Sequence, residues 1–295
     1  MINMWLKPLN YTFSALLAVM LCILPGHAQY YYKDIVVTAQ ISANYHLLRV
    51  NGVQRVQATP SDATHAYSDP ANPSQEGVKL EQTVYPGQNL VVTHTKTPES
   101  GESWLKAYYD GAGRLIATTD STDEVITRSV YTYDEAGRLA AISNNSVPRN
   151  DPSEKEVHQW SYTTGGKPVK MVKIKNDHDT TYVALEADEN GHPGEEKVTR
   201  SRVSIGSTFY YYDSRNRLTD VARFNKKAAR ILPEYMFEYN EAGQVTQMVV
   251  VPEGSSEYQT WKYVYNAGGL KVQEVCYSKQ KQLLGKVEYK YEMGR

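Results

Sequence analysis

Cysteine and phenylalanine are scarce in this 295-residue chain, with 2 Cys and 4 Phe, and charge of neither sign is in excess. Of the two cysteines, Cys22 lies in the leading apolar segment, which leaves Cys276 without a partner for an intramolecular disulfide or a thiolate metal site. It reads as a small strand residue rather than a reactive thiol. Basic residues number 32 and acidic residues 33, a balance with no electrostatic footprint for nucleic acid. A Walker loop, HExxH, Gly-x-Ser-x-Gly and CxxC are all missing. No catalytic set, cofactor or metal is therefore expected.

Long hydrophobic runs are missing too. The longest, Phe13–Leu24, follows the lone charge of Lys7 and precedes Pro25-Gly-His-Ala28, which ends in a small-x-small pattern. It is too short to cross a bilayer as a helix, so residues 1–28 read as a secretory signal peptide. A lipoprotein would use Cys22, but Leu21 stands where that signal wants a small side chain. Export to the periplasm or the medium is expected, with no transmembrane segment left after processing. The leader carries only Lys7, so the mature chain keeps 31 basic residues against 33 acidic.

What the chain has is tyrosine, 24 residues of it, and a phrase that recurs. Tyr131–Ile142, YTYDEAGRLAAI, reads as a β-hairpin with alternating strands on either side of Asp134–Gly137. Asp134 sits where a type I turn wants a side-chain acceptor, and Gly137 where the chain takes φ > 0 to close a G1 bulge. Counting outward, Tyr133 faces Leu139 and Asp134 faces Arg138.

The Tyr133 position recurs as Tyr109, Tyr133, Tyr162, Ala187, Tyr212, Tyr239 and Tyr265, at steps of 24, 29, 25, 25, 27 and 26 residues. The following turns run Asp110–Gly113, Asp134–Gly137, Thr163–Gly166, Asp188–Gly191, Asp213–Asn216, Asn240–Gly243 and Asn266–Gly269. Each closes with Gly or Asn, the residues that tolerate a left-handed backbone at least cost. The Leu139 place is taken by Leu115, Pro168, Pro193, Leu218 and Val245. In the seventh copy Leu270 is displaced by one and Lys271 takes the slot. Tyr289-Lys-Tyr291 reads as an eighth unit cut short in its turn.

The phrase Tyr-Asp-x-x-Gly-Arg-Leu, closest at Tyr109–Leu115 and Tyr133–Leu139 and good at Tyr212–Leu218, resembles the YD repeat of RHS and teneurin-type proteins. In that family the repeats form a continuous β-sheet that can spiral into a shell around a toxin or other C-terminal domain. The resemblance implies a continuous repeat sheet here. With few repeats and nothing after them that reads as cargo, the chain is most similar to small exported members, without a toxin domain, of the kind carried by bacteria of the Bacteroidetes group. A remnant or partner of an RHS-type polymorphic toxin system is the alternative that the resemblance implies.

The expected fold is all-β: repeated antiparallel hairpins in one curved, largely single-layer sheet over residues 78–295, with 29–77 as capping segment and polar loop. Tyr used in place of Phe suits a surface where the ring packs flat and the hydroxyl reaches water. In the capping segment Asp34 is placed to cap a helix through Ile35, Val37, Ile41, Ala43, Tyr45 and Leu48, with Gly52 past its end. The β-branched run Ile35–Thr38 works against that helix. Val53–Val56 reads as a strand, 59–77 as a polar loop, and Val78–Thr95 as an imperfect first hairpin around Tyr85–Asn89. Ser143–Val157 and Asn225–Leu232 read as polar connections.

The repeated Asp residues have sufficient work as turn formers. Asp177–Asp179 and Asp188–Gly191 lack EF-hand spacing and read as turns. His158, His178 and His192 read as solvated or incidental. Trp104, Trp160 and Trp261 stand five, two and four residues before a repeat tyrosine. Sheet packing explains them. The sharper alternative is a row of aromatic platforms, shared with Tyr109, Tyr133, Tyr212, Tyr239 and Tyr265, for a sugar chain or peptide. The sequence points to a non-catalytic exported repeat protein offering a binding or scaffolding surface to a protein or glycan of the cell envelope. Carbohydrate binding on the Tyr/Trp face is the alternative.

Overall fold

In the computed structural model, which describes residues 30–62, 78–97, 101–225, 228–252 and 255–294, all seven predicted turns close as spelled. The fourth residue donates its amide to the carbonyl of the first, as Gly137 does to Asp134 at 2.9 Å. That fourth residue is left-handed in every copy, with φ +77° at Gly137 and +61° at Asn216. The predicted bulge follows, since the register shifts between Thr132 and Tyr133 and then pairs Tyr133 with Leu139. In the seventh copy Tyr265 pairs with Lys271, so the displaced Leu270 takes the place that Arg138 has elsewhere. The signal-peptide expectation and residues 63–77 of the predicted loop lie outside the described residues.

Among the described residues one α-helix, α1 (Lys33–Val50), precedes β1 (Val53–Asp62), β2 (Lys79–Tyr85), β3 (Leu90–Thr97), β4 (Gly101–Tyr109), β5 (Leu115–Ser121) and β6 (Val125–Tyr133). Then come β7 (Leu139–Pro148), β8 (Glu154–Tyr162), β9 (Pro168–Lys175), β10 (Asp179–Ala187), β11 (Pro193–Arg200) and β12 (Val203–Tyr212). The last six are β13 (Leu218–Asn225), β14 (Arg230–Tyr239), β15 (Val245–Val250), β16 (Gln259–Tyr265), β17 (Lys271–Ser278) and β18 (Leu283–Met293). The polar connections expected at Ser143–Val157 and Asn225–Leu232 are shorter than read, because β7, β8 and β14 run on through most of them. Pro168 and Pro193 open β9 and β11, where a missing amide is tolerated.

Every strand pairs antiparallel with its neighbours in sequence, and β1 also pairs with β18, from Val53 opposite Met293 to Asp62 opposite Gly285. The sheet is therefore a closed ring of 18 strands. The unit expected to stop short at Tyr291 is completed by β1, and Gly294 donates its amide to the Gly52 carbonyl at 2.7 Å. Closure removes both edges, so the N-terminal segment has no sheet edge to protect.

Helix α1 does form, and it caps a mouth rather than an edge. Its N-terminal position is Tyr32, with no side-chain cap, so Asp34 does not play the role expected of it. The segment touches strands around the whole ring: Tyr30 meets Tyr235, Asp34 meets His158, Ser42 meets Leu115, and Asn51 meets Gly268. Only a segment lying across the mouth at the repeat-turn end reaches all of these. An 18-stranded barrel leaves a lumen wide enough for a helix. Thr38, Tyr45 and Leu48 are buried against the wall while Gln40, Asn44 and Arg49 face solvent. Burial of Tyr45 and Leu48 outweighs the poor helix propensity of Ile35–Thr38.

The alternation in the strands puts the Tyr/Leu face inside, as expected of a concave face. In β4, β16 and β18 the residues Ala107, Trp261, Tyr263, Val287 and Tyr289 are buried, and the intervening Lys106, Lys262 and Glu288 are exposed on the outer wall. A bilayer-spanning barrel needs an apolar outer band at such positions. The outer wall mixes such charged residues with exposed apolar ones, among them Ile126, Val130, Val147 and Val264. Replacing Gly137 by Val forces a β-branched residue to φ +77° beside Arg114 Nη1, 3.2 Å from the new Cβ. The expected cost is about 1 kcal/mol or more, read as a lowered Tm; an unchanged Tm would contradict the turn assignment.

Candidate functional site

Each part of the repeat phrase serves the next copy. Asp134 Oδ1 accepts the amide of Arg138 at 2.9 Å and its Oδ2 accepts from Arg138 Nε at 2.7 Å. The guanidinium so fixed lies over the ring of the next tyrosine, Tyr162, at 4.6 Å from its centroid. Tyr162 in turn donates its hydroxyl to the Leu139 carbonyl at 2.7 Å. The same arrangement joins Arg114 to Tyr133 and Arg217 to Tyr239, with hydroxyl bonds to the Leu115 and Leu218 carbonyls of 2.6 Å each. Tyr212, Tyr265 and Tyr291 donate likewise to Pro193, Val245 and Lys271.

The expectation that these hydroxyls reach water is thereby corrected: the backbone of the preceding copy takes them. Burial raises the pKa of Tyr133, Tyr162, Tyr239 and Tyr265 to about 12. Where the third copy loses Asp and Arg to Thr163 and Lys167, the fourth has Ala187 instead of Tyr. In the fourth copy His192 replaces Arg and its ring lies 4.9 Å from that of Tyr212. Tyr109, the first of the series, stacks on Tyr45 of α1 at 3.7 Å and 9°.

Two buried polar clusters hold the plug. Glu196, fully buried in β11, accepts the amides of Tyr31 at 2.9 Å and Tyr32 at 2.8 Å and the hydroxyl of Tyr210 at 2.8 Å. A wall carboxylate thus satisfies the orphan donors of the helix start and faces its positive end. Burial raises the Glu196 pKa, and these hydrogen bonds partly offset the rise. The second cluster is His158, with Nδ1 2.6 Å from Asp34 Oδ2 and Nε2 2.9 Å from Glu156 Oε1. Trp160 Nε1 donates to Asp34 at 3.3 Å and Lys173 pairs with Glu156 at 2.6 Å. Burial alone would lower the His158 pKa, but the hydrogen bonds and charges of Asp34 and Glu156 raise it to about 9. For Glu156 burial is likewise outweighed, by His158 and Lys173, and its pKa falls to about 2. His158 is therefore neither solvated nor incidental.

Sequence reasoning missed Glu196, although a carboxylate at an inward position, opposite Leu185 and two residues before Val198, was a signal. Glu274 is a second case, buried opposite Tyr263 and bound by Lys271 Nζ at 2.7 Å and Tyr289 hydroxyl at 2.6 Å.

The three tryptophans do not share a face. Trp160 and Trp261 are buried inside, while Trp104 is 41% exposed on the outer wall, its ring stacked on His94 at 3.9 Å. The five tyrosines proposed alongside them line the inner rim and are engaged as described. No continuous aromatic row results. Cys276 is buried beside Trp261, and burial pushes its thiol up to about 12. Among the described residues no group of three His, Cys, Asp or Glu side chains is placed to hold a metal.

The RHS Repeat family matches residues 109–146, the stretch from the Tyr109 unit through the Tyr133 hairpin. The chain carries an RHS repeat. None of the curated proteins matches it. Among solved structures it is similar to the Tc holotoxin pore of Photorhabdus luminescens, at 13% identity and TM-score 0.33 over 71% of this chain. It spans 12% of that toxin chain's length. It is also similar to a porin-like protein from Bacteroides uniformis, at 12% identity and TM-score 0.32, over 82% of this chain and 97% of that one.

The tyrosine ladder predicts that Tyr162→Phe, which removes the hydroxyl bound to the Leu139 carbonyl, costs about 1 kcal/mol. Tyr182→Phe, on the outer wall and 49% exposed, leaves the Tm unchanged. Equal melting shifts for the two variants would contradict the ladder. The His158 cluster predicts a pH dependence. A raised histidine pKa stabilises fully below the ordinary 6.5 and stops doing so as pH rises through about 9. The depressed Glu156 pKa stabilises above the ordinary 4.5 and is lost as pH falls through about 2. Stability should therefore decline on going from neutral pH to above 9, and His158→Gln should flatten that decline in denaturant titrations.

Proposed function

We propose that this RHS-repeat chain is a non-catalytic exported protein whose barrel serves as a binding or scaffolding surface in the cell envelope. The observation that carries the proposal is the plug. A continuous repeat sheet can enclose a guest, but here Tyr30–Val50 occupies the turn-side mouth and the rim tyrosines bond to backbone. The outer wall is the large surface left for a partner, and its exposed Lys106, Lys262 and Glu288 suit an aqueous setting. Export rests on the leader pattern of residues 1–28. Carbohydrate binding, the second reading, is supported in a narrower form than a row of platforms, by the exposed Trp104.

The test is capture from envelope extract on tagged residues 29–295, with bound protein and glycan both identified. Saturable recovery of one partner, competed by untagged protein, is the expected result. A reproducible hydrolase activity abolished by one substitution would overturn the proposal.

A further inference from the structure

On the outer wall of β4–β8, cross-strand register sets Lys106, Thr119, Arg128, Asn145 and Lys155 in one transverse row. The three cations stand on alternate strands, about 10 Å apart. Lys106 and Arg128 have no carboxylate partner among the described residues, and Lys155 reaches only the exposed Asp177, at 3.1 Å. Other outer cations are neutralised, as Lys197 is by Glu186 and Lys286 by Glu288, both at 2.6 Å, whereas Lys262 and Lys290 stand singly on β16 and β18 rather than in a row. The next row holds His94, Trp104, Ser121, Ile126 and Val147. In it the Trp104 ring is exposed and backed by His94, whose Nε2 is 2.7 Å from Glu102. Where the cationic row ends, Ser143, Asn145, Ser153, Lys155, Asn176 and Asp177 line an open pocket of about 560 Å³.

We propose that this wall binds an acidic polysaccharide. The cations take its carboxylates, the hydroxyls and amides of the pocket take its ring hydroxyls, and Trp104 offers a flat face to a sugar ring. The unpaired charge selects an anion, and the pocket chemistry selects a polyol. An acidic peptide is the poorer fit, because an extended peptide gains most by adding to a sheet edge and the closed ring has none. The inference rests on the surface-binding reading above and names its ligand class.

The test is titration of the folded chain with polygalacturonate at low salt, with dextran and polyglutamate as controls, followed by calorimetry and tryptophan fluorescence. Polygalacturonate should bind, quench fluorescence and weaken as salt is raised, while neither control binds. A Lys106→Ala and Arg128→Ala double variant, with wild-type circular dichroism, should bind about fivefold or more weakly, two exposed charge contacts being lost. Trp104→Ala should lose the quenching. Absence of polygalacturonate binding, equal binding of polyglutamate or dextran, or an unaffected double variant would each overturn the proposal. If envelope capture persists while polygalacturonate fails to bind, the ligand class is wrong and the broader binding role stands.

Discussion

The structure depends on a hydrogen bond that crosses from one repeat to the next. A tyrosine hydroxyl reaches back to the carbonyl at the start of the preceding copy's second strand, and the preceding arginine, held by its turn aspartate, covers the ring. Buried hydroxyls must be satisfied, and here satisfaction is supplied only by a neighbour in register. No copy is complete alone, which is the nearest-neighbour logic of repeat proteins. The loss of Asp and Arg at Thr163 and Lys167 alongside the loss of Tyr at Ala187 fits that dependence, since the parts lost are those that meet each other.

A ladder of this kind needs ends, and this chain joins them to each other. Strand β1 completes the last unit, so the first and last strands satisfy one another's backbone. The segment before β1 then lies at the mouth of the ring that β1 closes. Glu196 and the Asp34–His158–Glu156 cluster fix it there by charge and hydrogen bond. These polar contacts fix the orientation of a helix whose own sequence is a weak helix former. They also make the seating of the plug sensitive to pH.

Much of this was legible in the residues. The turns were, because Asp and Gly at fixed offsets specify a local conformation that tertiary contacts do not override. The ring closure was not, because it pairs Val53–Asp62 with Gly285–Met293, across almost the whole chain. The helix was visible through Tyr45, Leu48 and Gly52, but its N-terminal contact was misassigned to Asp34, whose partner His158 is remote in sequence. The tryptophans hold a sharper lesson. Trp160 and Trp261 lie an even number of residues before a repeat tyrosine and face inward with it, whereas Trp104 lies an odd number before and faces out. The period of the strand separates them without a structure.

The central claim is that the repeats form a closed ring rather than an open sheet with a cap. Native-state hydrogen exchange on the amides of residues 53–62 and 285–293 tests it most directly. A closed ring predicts that both stretches exchange slowly, at rates comparable to β6 and β7 in the middle of the repeats. Fast exchange in both, with the central strands protected, would mean that β1 and β18 are free edges.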